Sequence, residues 1–263
     1  MPRMLRAALP VLLVASFGCN RNPPAPGDAG PPVVRPAPES APGSRGGPPP
    51  LAPGVTVDGR AVWVGPRPVL PPLGTNPSVE SVCGRTVPDP SVRVGPEGGV
   101  ADVVVWVDGP PEPGDPSAPA PVVVLDQRAC VYVPPVLAAR AGSTLRLRNS
   151  DPLTHTVHGV AGGQTVFNVA MPLERMELSR PLPAKPGVVE IRCDVHPWMR
   201  ATVRTFDHPR FTTTDASGRF RLASVPGGEV EMHAWHPRLG ERVVRVRVGE
   251  GGAHVDFDFR GEG

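Results

Sequence analysis

The sequence predicts an all-β protein, a sandwich of short strands joined by tight turns. Proline (39 residues) and glycine (30 residues) are far above average usage in this 263-residue chain, and aromatic residues make up only 5%. Such a composition favours many turns over long helices. Short runs rich in β-forming residues follow one another, separated by turn dipeptides such as Pro-Gly and Ser-Gly. No apolar pattern with the helical period extends over a convincing length.

The predicted strands form an early, a central and a late group. The early strands are 55–64, in which apolar residues alternate, and 100–107, a largely apolar run. The central strands are 122–125, 136–139, 144–147, 155–160, 188–193 and 201–205. The late strands are 219–222, 230–235, 243–248 and 255–259. We therefore divide the folded part of the chain into 54–120, 121–207 and 208–263.

The N-terminal segments predict export and tethering. A short basic region precedes an apolar run, 7–17, which is too short to span a bilayer and is typical of a signal peptide, 1–19. The run stops at Cys19, and the sequence Ser-Phe-Gly-Cys resembles a bacterial lipobox, whose cysteine is acylated. An ordinary signal peptide is the alternative. Asn20 implies, by resemblance to sorting signals, an outer-membrane lipoprotein facing the periplasm. The proline-rich segment 20–53 predicts a disordered tether.

Two segments carry the ligand types of a copper site. Cys193, His196 and Met199 lie within one short loop after a predicted apolar strand, and His155 follows another strand. Two histidines and a cysteine in a plane, with a weak axial methionine, suit a copper ion that cycles between Cu(I) and Cu(II). We therefore predict that these four residues bind one type 1 copper ion per chain. The alternative is an apolar β-sandwich with incidental histidine and cysteine side chains.

Residues 121–207 resemble a cupredoxin, most closely the amicyanin and plastocyanin group. The resemblance rests on the turn 141–143, on the His-x-Val segment 155–157, and on the Cys-x-x-His-x-x-Met loop 193–199 with Pro197 after the histidine. It implies a Greek-key β-sandwich, a blue copper site and one-electron transfer. The chain also resembles methylamine-utilisation-like bacterial proteins.

Residues beside the ligands are expected to tune the copper. The family usually has Asn where this sequence has Thr156, so we expect its shorter side chain to hold the ligand loop less tightly. Val195 stands where such loops usually have proline, so its N–H is available to the thiolate of Cys193. The alternative is that this N–H faces water. His158 is a rival ligand, but strand alternation places it on the face opposite His155, so we expect a surface or second-site histidine.

The four cysteines predict one disulfide in an oxidising compartment. Cys19 is assigned to the lipid and Cys193 to the metal, which leaves Cys83 and Cys130 as a pair. Cys83 lies in a segment without strand character, and Cys130 lies in a predicted strand, 122–133. The alternative is two unpaired thiols.

Residues 212–260 resemble the transthyretin-like carboxypeptidase regulatory-like domain. The resemblance rests on Asp-x-x-Gly-x-Phe from Asp215 and on the Pro-Gly-Gly turn at 226–228. Four strands are few for an independent sandwich. Either 55–64 and 100–107 complete it, with the cupredoxin inserted, or the late strands form a sheet docked to the cupredoxin.

The function that we predict is one-electron transfer with an unidentified redox partner protein. A net charge of +2 with scattered arginines argues against nucleic acid binding. The sequence contains no nucleotide-binding loop, nucleophile elbow or paired carboxylates, so we expect no enzyme activity. Copper delivery and a metal-free binding module are the alternatives.

Overall fold

The computed structural model describes residues 54–112 and 119–261. The signal peptide 1–19, its Cys19 and the tether 20–53 lie outside the described residues, so lipid attachment stays a prediction. In the described part, almost all regular structure is β, which confirms the predicted fold class. No helix of the described residues is long and apolar enough to cross a membrane.

The strands follow one another through the chain, with two short helical segments before the third. They are β1 (Val55–Trp63), β2 (Leu73–Gly74), β3 (Thr86–Val87), β4 (Val104–Val107), β5 (Val122–Arg128), β6 (Val131–Val133), β7 (Val136–Arg140), β8 (Thr144–Asn149), β9 (His155–Ala161), β10 (Gln164–Met171), β11 (Glu177–Pro181), β12 (Gly187–Arg192), β13 (Arg200–Phe206), β14 (Phe211–Thr213), β15 (Arg219–Val225), β16 (Gly228–His236), β17 (Gly240–Val248) and β18 (Ala253–Phe259). The helical segments are a 3-10 turn, Pro77–Val79, and α1 (Glu80–Cys83).

The central lobe, β5 to β13, is a sandwich of two sheets. One sheet has the strand order β10-β9-β12-β13-β7 and the other β11-β8-β5-β6. Along β8, buried Leu145, Leu147 and Asn149 alternate with exposed or half-buried residues, which is the period-2 pattern of a strand with one face in the core. Cys193 and Met199 belong to the same buried cluster as these leucines. The candidate metal ligands therefore lie at the edge of a rigid core.

The flanking lobe joins strands from both ends of the described chain. One sheet has the order β15-β1-β18 and the other β14-β4-β16-β17. Their facing sides share one buried cluster, in which Val57 and Val105 from the early strands pack with Leu222, Met232 and Phe257 from the late strands. The central lobe is therefore inserted into the flanking lobe, which is the first of the two arrangements considered above.

The two lobes meet at an aromatic cluster. The Arg204 guanidinium of β13 lies 4.1 Å from the ring centre of Trp106 and 4.9 Å from that of Trp235. Phe206 of the same strand packs against Trp106, with ring centres 5.4 Å apart. Cation–π contacts of this kind stabilise partly desolvated arginines.

Three expectations about the elements were wrong. The apolar run 100–107 is a strand only from Val104, because Asp102 has a positive φ of 63° and binds Arg93 through both carboxylate oxygens. Cys130 does not lie in a strand but in the turn between β5 and β6. Strands β10, β11 and β14 were missed, because most of their side chains are exposed or only half-buried and carry no continuous apolar signal.

Candidate metal centre

The sheet brings the predicted donors together at one end of the central lobe. Strands β9 and β12 are antiparallel neighbours, so the start of β9 at His155 lies beside the end of β12, which Cys193 follows. The loop 193–199 then returns into β13. Its ends are joined by a hydrogen bond from Cys193 N–H to Met199 O (3.2 Å), and Met199 N–H donates to His196 O (2.9 Å). This tight loop holds His196 close to Cys193.

Three side chains form a group with the spacing of metal ligands. The Nδ1 atoms of His155 and His196 are 2.9 Å apart, and Cys193 Sγ is 3.7 Å from His196 Nδ1. The ligand atoms of all three lie within 4.8 Å of one another. One ion about 2.0 Å from each nitrogen and about 2.3 Å from the sulfur can span such separations. The three residues are 0–3% exposed, so the group lies beneath the surface.

Met199 is the fourth residue of the predicted ligand set. Its side chain is 1% exposed and belongs to the buried cluster that contains Cys193. Its role as axial ligand stays a prediction.

The surroundings favour the protonation states that a metal requires. Burial alone raises the pKa of the Cys193 thiol, but the neighbouring His155, the hydrogen bonds from Thr156 and the nearby Val195 N–H bring it below its ordinary value. Burial and the nearby His155 lower the pKa of His196, which keeps this imidazole neutral. Metal ligands must be deprotonated, so both shifts favour binding.

The charged neighbours of His155 also favour a bound cation. Burial lowers the pKa of His155, but its contacts with Asp151 and Cys193 outweigh burial and raise the pKa above its usual range. These anionic neighbours stabilise positive charge at the position where the three donors converge. A bound cation would replace the proton in that environment.

Of the two predicted tuning residues, Thr156 contacts the sulfur of Cys193, and Val195 lies two residues after Cys193 in the loop. Thr156 N–H lies 3.3 Å from Cys193 Sγ and its Oγ1 lies 3.6 Å away. The same Oγ1 accepts a hydrogen bond from Asp194 N–H at 2.7 Å. The Thr156 hydroxyl therefore reaches the loop backbone directly, and whether it holds the loop less tightly than an asparagine stays a prediction. The Val195 N–H is among the groups that lower the pKa of the Cys193 thiol, and its hydrogen bond to the sulfur stays a prediction.

A buried carboxylate that sequence reasoning missed supports His155. Asp151 Oδ2 lies 2.9 Å from His155 Nε2, and Asp151 is 5% exposed. Ala129 N–H and Cys130 N–H donate to its two oxygens at 2.7 and 2.9 Å. Burial raises the pKa of Asp151, but these three hydrogen bonds lower it below its usual value, so the group is an anion. The available signal was an aspartate four residues before a candidate ligand histidine.

The turn that binds Asp151 also carries a disulfide. Cys83 at the end of α1 and Cys130 are bonded, with an S–S distance of 2.03 Å. Ala129 and Cys130 both have positive φ, 53° and 59°, and the N–H groups of both donate to the Asp151 carboxylate. The carbonyl of Cys130 accepts a hydrogen bond from Trp198 Nε1 at 2.9 Å. The turn between β5 and β6 therefore contacts both Asp151, which supports His155, and the ligand loop.

His158 lies on the face opposite His155 and outside the donor group. It is buried rather than a surface residue, with 9% exposure, which corrects the expectation. Its ring nitrogens contact Asp194 Oδ1 at 2.9 Å and Thr165 Oγ1 at 2.8 Å. Because Asp194 directly follows Cys193, this contact steadies the backbone of the ligand loop.

Comparisons with known proteins give partial similarity to copper proteins. No protein-family model matches the sequence, and no curated protein does. Among solved structures, the chain is similar to a Cu(I) form of an amicyanin mutant, with 26% identity over 32% of this chain and 82% of that chain and a TM-score of 0.29. It is also similar to a purple cupredoxin from Nitrosopumilus maritimus, with 22% identity over 32% of this chain and 98% of that chain and a TM-score of 0.28. A copper-containing nitrite reductase from Thermus scotoductus SA-01 matches with 21% identity over 37% of this chain and 26% of that chain, with a TM-score of 0.29.

Proposed function

We propose that this protein holds one type 1 copper ion per chain and carries single electrons in the bacterial cell envelope. The observation that carries the proposal is the buried group of His155, Cys193 and His196, with donor atoms at ligand spacing. Met199 is proposed as the weak axial ligand.

The donor chemistry supports copper over other ions. A thiolate and two imidazoles with a thioether nearby form a soft donor set, which suits copper in both oxidation states. Magnesium and calcium prefer oxygen ligands. A structural zinc site would use four strong donors, whereas the group found within the described residues has three. When bound, copper would supply a one-electron redox couple.

The packing of the donors supports electron transfer rather than chemistry on a substrate. Asp151 contacts His155, Thr156 contacts Cys193, and backbone hydrogen bonds join the ends of the loop. A site held by this many contacts keeps the same geometry in both oxidation states. The low exposure of all three donors leaves little room for a substrate, and we propose no enzyme activity.

The location of the protein is part of the proposal. We propose that Cys19 is lipid-modified and that the proline-rich segment 20–53 links the folded part to the outer membrane, on its periplasmic side. Mass spectrometry of the membrane fraction should find a mature N-terminus at a diacylated Cys19. A soluble mature protein that begins elsewhere would contradict this assignment.

Voltammetry of the purified copper-loaded protein tests electron transfer. We expect one reversible one-electron wave and rapid electron self-exchange. His155→Asn should abolish the wave, whereas His254→Asn, which alters an exposed histidine of the flanking lobe, should leave it unchanged. Rapid loss of Cu(I) to a chelator without a reversible wave would indicate copper delivery instead. Failure to retain copper would leave a metal-free binding module.

A further inference from the structure

Asp151 is a buried anion whose surroundings are built for it. Its carboxylate receives two backbone N–H groups from the turn at Ala129 and Cys130, and its own N–H donates to Asn149 Oδ1 at 3.0 Å. Among the ion pairs of residues 54–112 and 119–261, its only partner is His155. A carboxylate costs several kcal/mol to bury unless its charge and lone pairs are matched. The two N–H groups of the turn offset this cost, and the carboxylate faces the imidazole of His155.

We propose that Asp151 is a positioning residue of the metal centre. Asp151 fixes the tautomer of His155 and lowers the reduction potential of the bound copper. The inference rests on the proposed function for its redox part. Its structural part concerns the protein alone, since it rests on the 2.9 Å contact between Asp151 Oδ2 and His155 Nε2.

The tautomer follows from the hydrogen-bonding capacity of the two groups. An ionised carboxylate only accepts, so His155 Nε2 must carry the proton in the 2.9 Å contact. In the neutral imidazole Nδ1 then keeps its lone pair, and Nδ1 is the atom that faces His196 Nδ1. The carboxylate therefore presents the correct nitrogen of His155 to the metal.

The effect on the potential follows from the sign of the charge. Cu(II) carries one more positive charge than Cu(I), so a fixed anion one imidazole ring away stabilises Cu(II) more strongly. The carboxylate also increases the basicity of the ligand imidazole. Both effects favour the oxidised state. Removal of the charge should therefore raise the potential.

Asp151→Asn tests the charge, because the shape is kept while the anion is lost. We expect Cu(II) affinity to fall about 10- to 100-fold with a smaller change in Cu(I) affinity. Each tenfold change in their ratio raises the potential by about 59 mV.

Asp126→Asn is the matched control. Asp126 is also largely buried and accepts a hydrogen bond from Ser150 Oγ at 2.8 Å, but it does not contact a donor residue. Equal potential shifts in the two variants would overturn the tuning role.

The tautomer of His155 provides a test that needs no copper. Nitrogen-15 NMR of imidazole-labelled, metal-free protein at alkaline pH should show His155 protonated at Nε2. In Asp151→Asn the preference should weaken, and in Asp126→Asn it should persist. A His155 protonated at Nδ1 in the wild-type protein would overturn the positioning role. If the tautomer is as expected but copper is not retained, the proposed function and the redox part of the inference fail, and the assignment of the His155 tautomer to Asp151 stands.

Discussion

At the scale of single residues, Thr156 contacts both Cys193, a proposed ligand, and the loop that carries it. Its backbone N–H and its hydroxyl both lie within reach of Cys193 Sγ, and its Oγ1 accepts the Asp194 N–H. Hydrogen bonds withdraw charge from a thiolate and so favour Cu(I). In the proposed copper site the hydroxyl would influence both the reduction potential and the rigidity of the loop.

Thr156→Val removes the hydroxyl and keeps the side-chain volume. We expect a lower reduction potential, because the thiolate loses a donor, and about 10-fold weaker copper retention, because the Asp194 N–H loses its acceptor. Voltammetry and competition with a copper chelator measure the two effects. Thr205→Val, which removes a buried hydroxyl that hydrogen-bonds to the backbone of Gly187, should leave the potential unchanged. No difference between the two variants would contradict this role of Thr156.

The candidate ligands could be predicted from the sequence, whereas their supports could not. Cys193, His196 and Met199 lie in one short loop, so their proximity is a local property. Asp151 depends on a contact with the turn at Cys130, which belongs to another strand pair, and that turn was predicted as part of a strand. The reach of the Thr156 hydroxyl likewise depends on how β9 packs beside β12.

At the scale of structural elements, the turn between β5 and β6 is tied to α1 by the Cys83–Cys130 disulfide. The bond spans 47 residues of chain. In the chain-entropy model a loop of this length contributes about 4 kcal/mol, and measured values are typically about 2–4 kcal/mol. The same turn supports Asp151 and Trp198, so its order matters for the metal centre as well.

The double variant Cys83→Ser/Cys130→Ser should therefore lower the free energy of unfolding by about 2–4 kcal/mol. Urea denaturation of the metal-free protein measures this change. Because the turn anchors Asp151, the copper potential should also rise, in the same direction as in Asp151→Asn. An unchanged denaturation midpoint would show that the disulfide does not stabilise the fold.

At the scale of structural elements, buried His236 at the end of β16 should make the stability of the flanking lobe sensitive to acid. Its side chain is 1% exposed, and burial, aided by the charges of Arg238 and Arg93, lowers its pKa to about 4. An unfolded histidine has a pKa of about 6.5, so between these values the unfolded state binds more protons. The stability that depends on neutral His236 is therefore present above about pH 6.5 and is lost as the pH falls toward about 4, by about 3 kcal/mol.

His236→Gln should flatten this part of the pH dependence, because glutamine does not titrate. Urea denaturation of the wild type and the variant across this pH range isolates the contribution, since the buried and paired carboxylates are common to both. Parallel stability curves in the two proteins would contradict the assignment to His236.

At the scale of the whole molecule, the flanking lobe has one core made by two distant parts of the chain. Strand β1 lies between β15 and β18, and β4 lies between β14 and β16. The sequence indicated that the late strands were too few for a sandwich but left open what completes them. Only the pairing in space decides this, because the apolar patterns of 55–64 and 100–107 suit any buried strand.

A fragment of residues 208–263 should therefore be unfolded by itself. Without β1 and β4, the late strands lose the central member of each sheet and the apolar contacts of residues such as Val57 and Val105. Circular dichroism and amide NMR dispersion measure this, with residues 54–263 as the folded control. A fragment with dispersed resonances and a cooperative melt would contradict the split arrangement.

We propose that His155, Cys193 and His196 together hold one copper ion. Visible and electron paramagnetic resonance spectra of the Cu(II)-loaded protein and of Cys193→Ser test it most directly. We predict an intense thiolate-to-copper charge-transfer band in the wild type, at one copper per chain, which disappears on reduction and is absent from Cys193→Ser. A wild type that binds no copper, or a Cys193→Ser protein that keeps the intense band, would contradict the assignment.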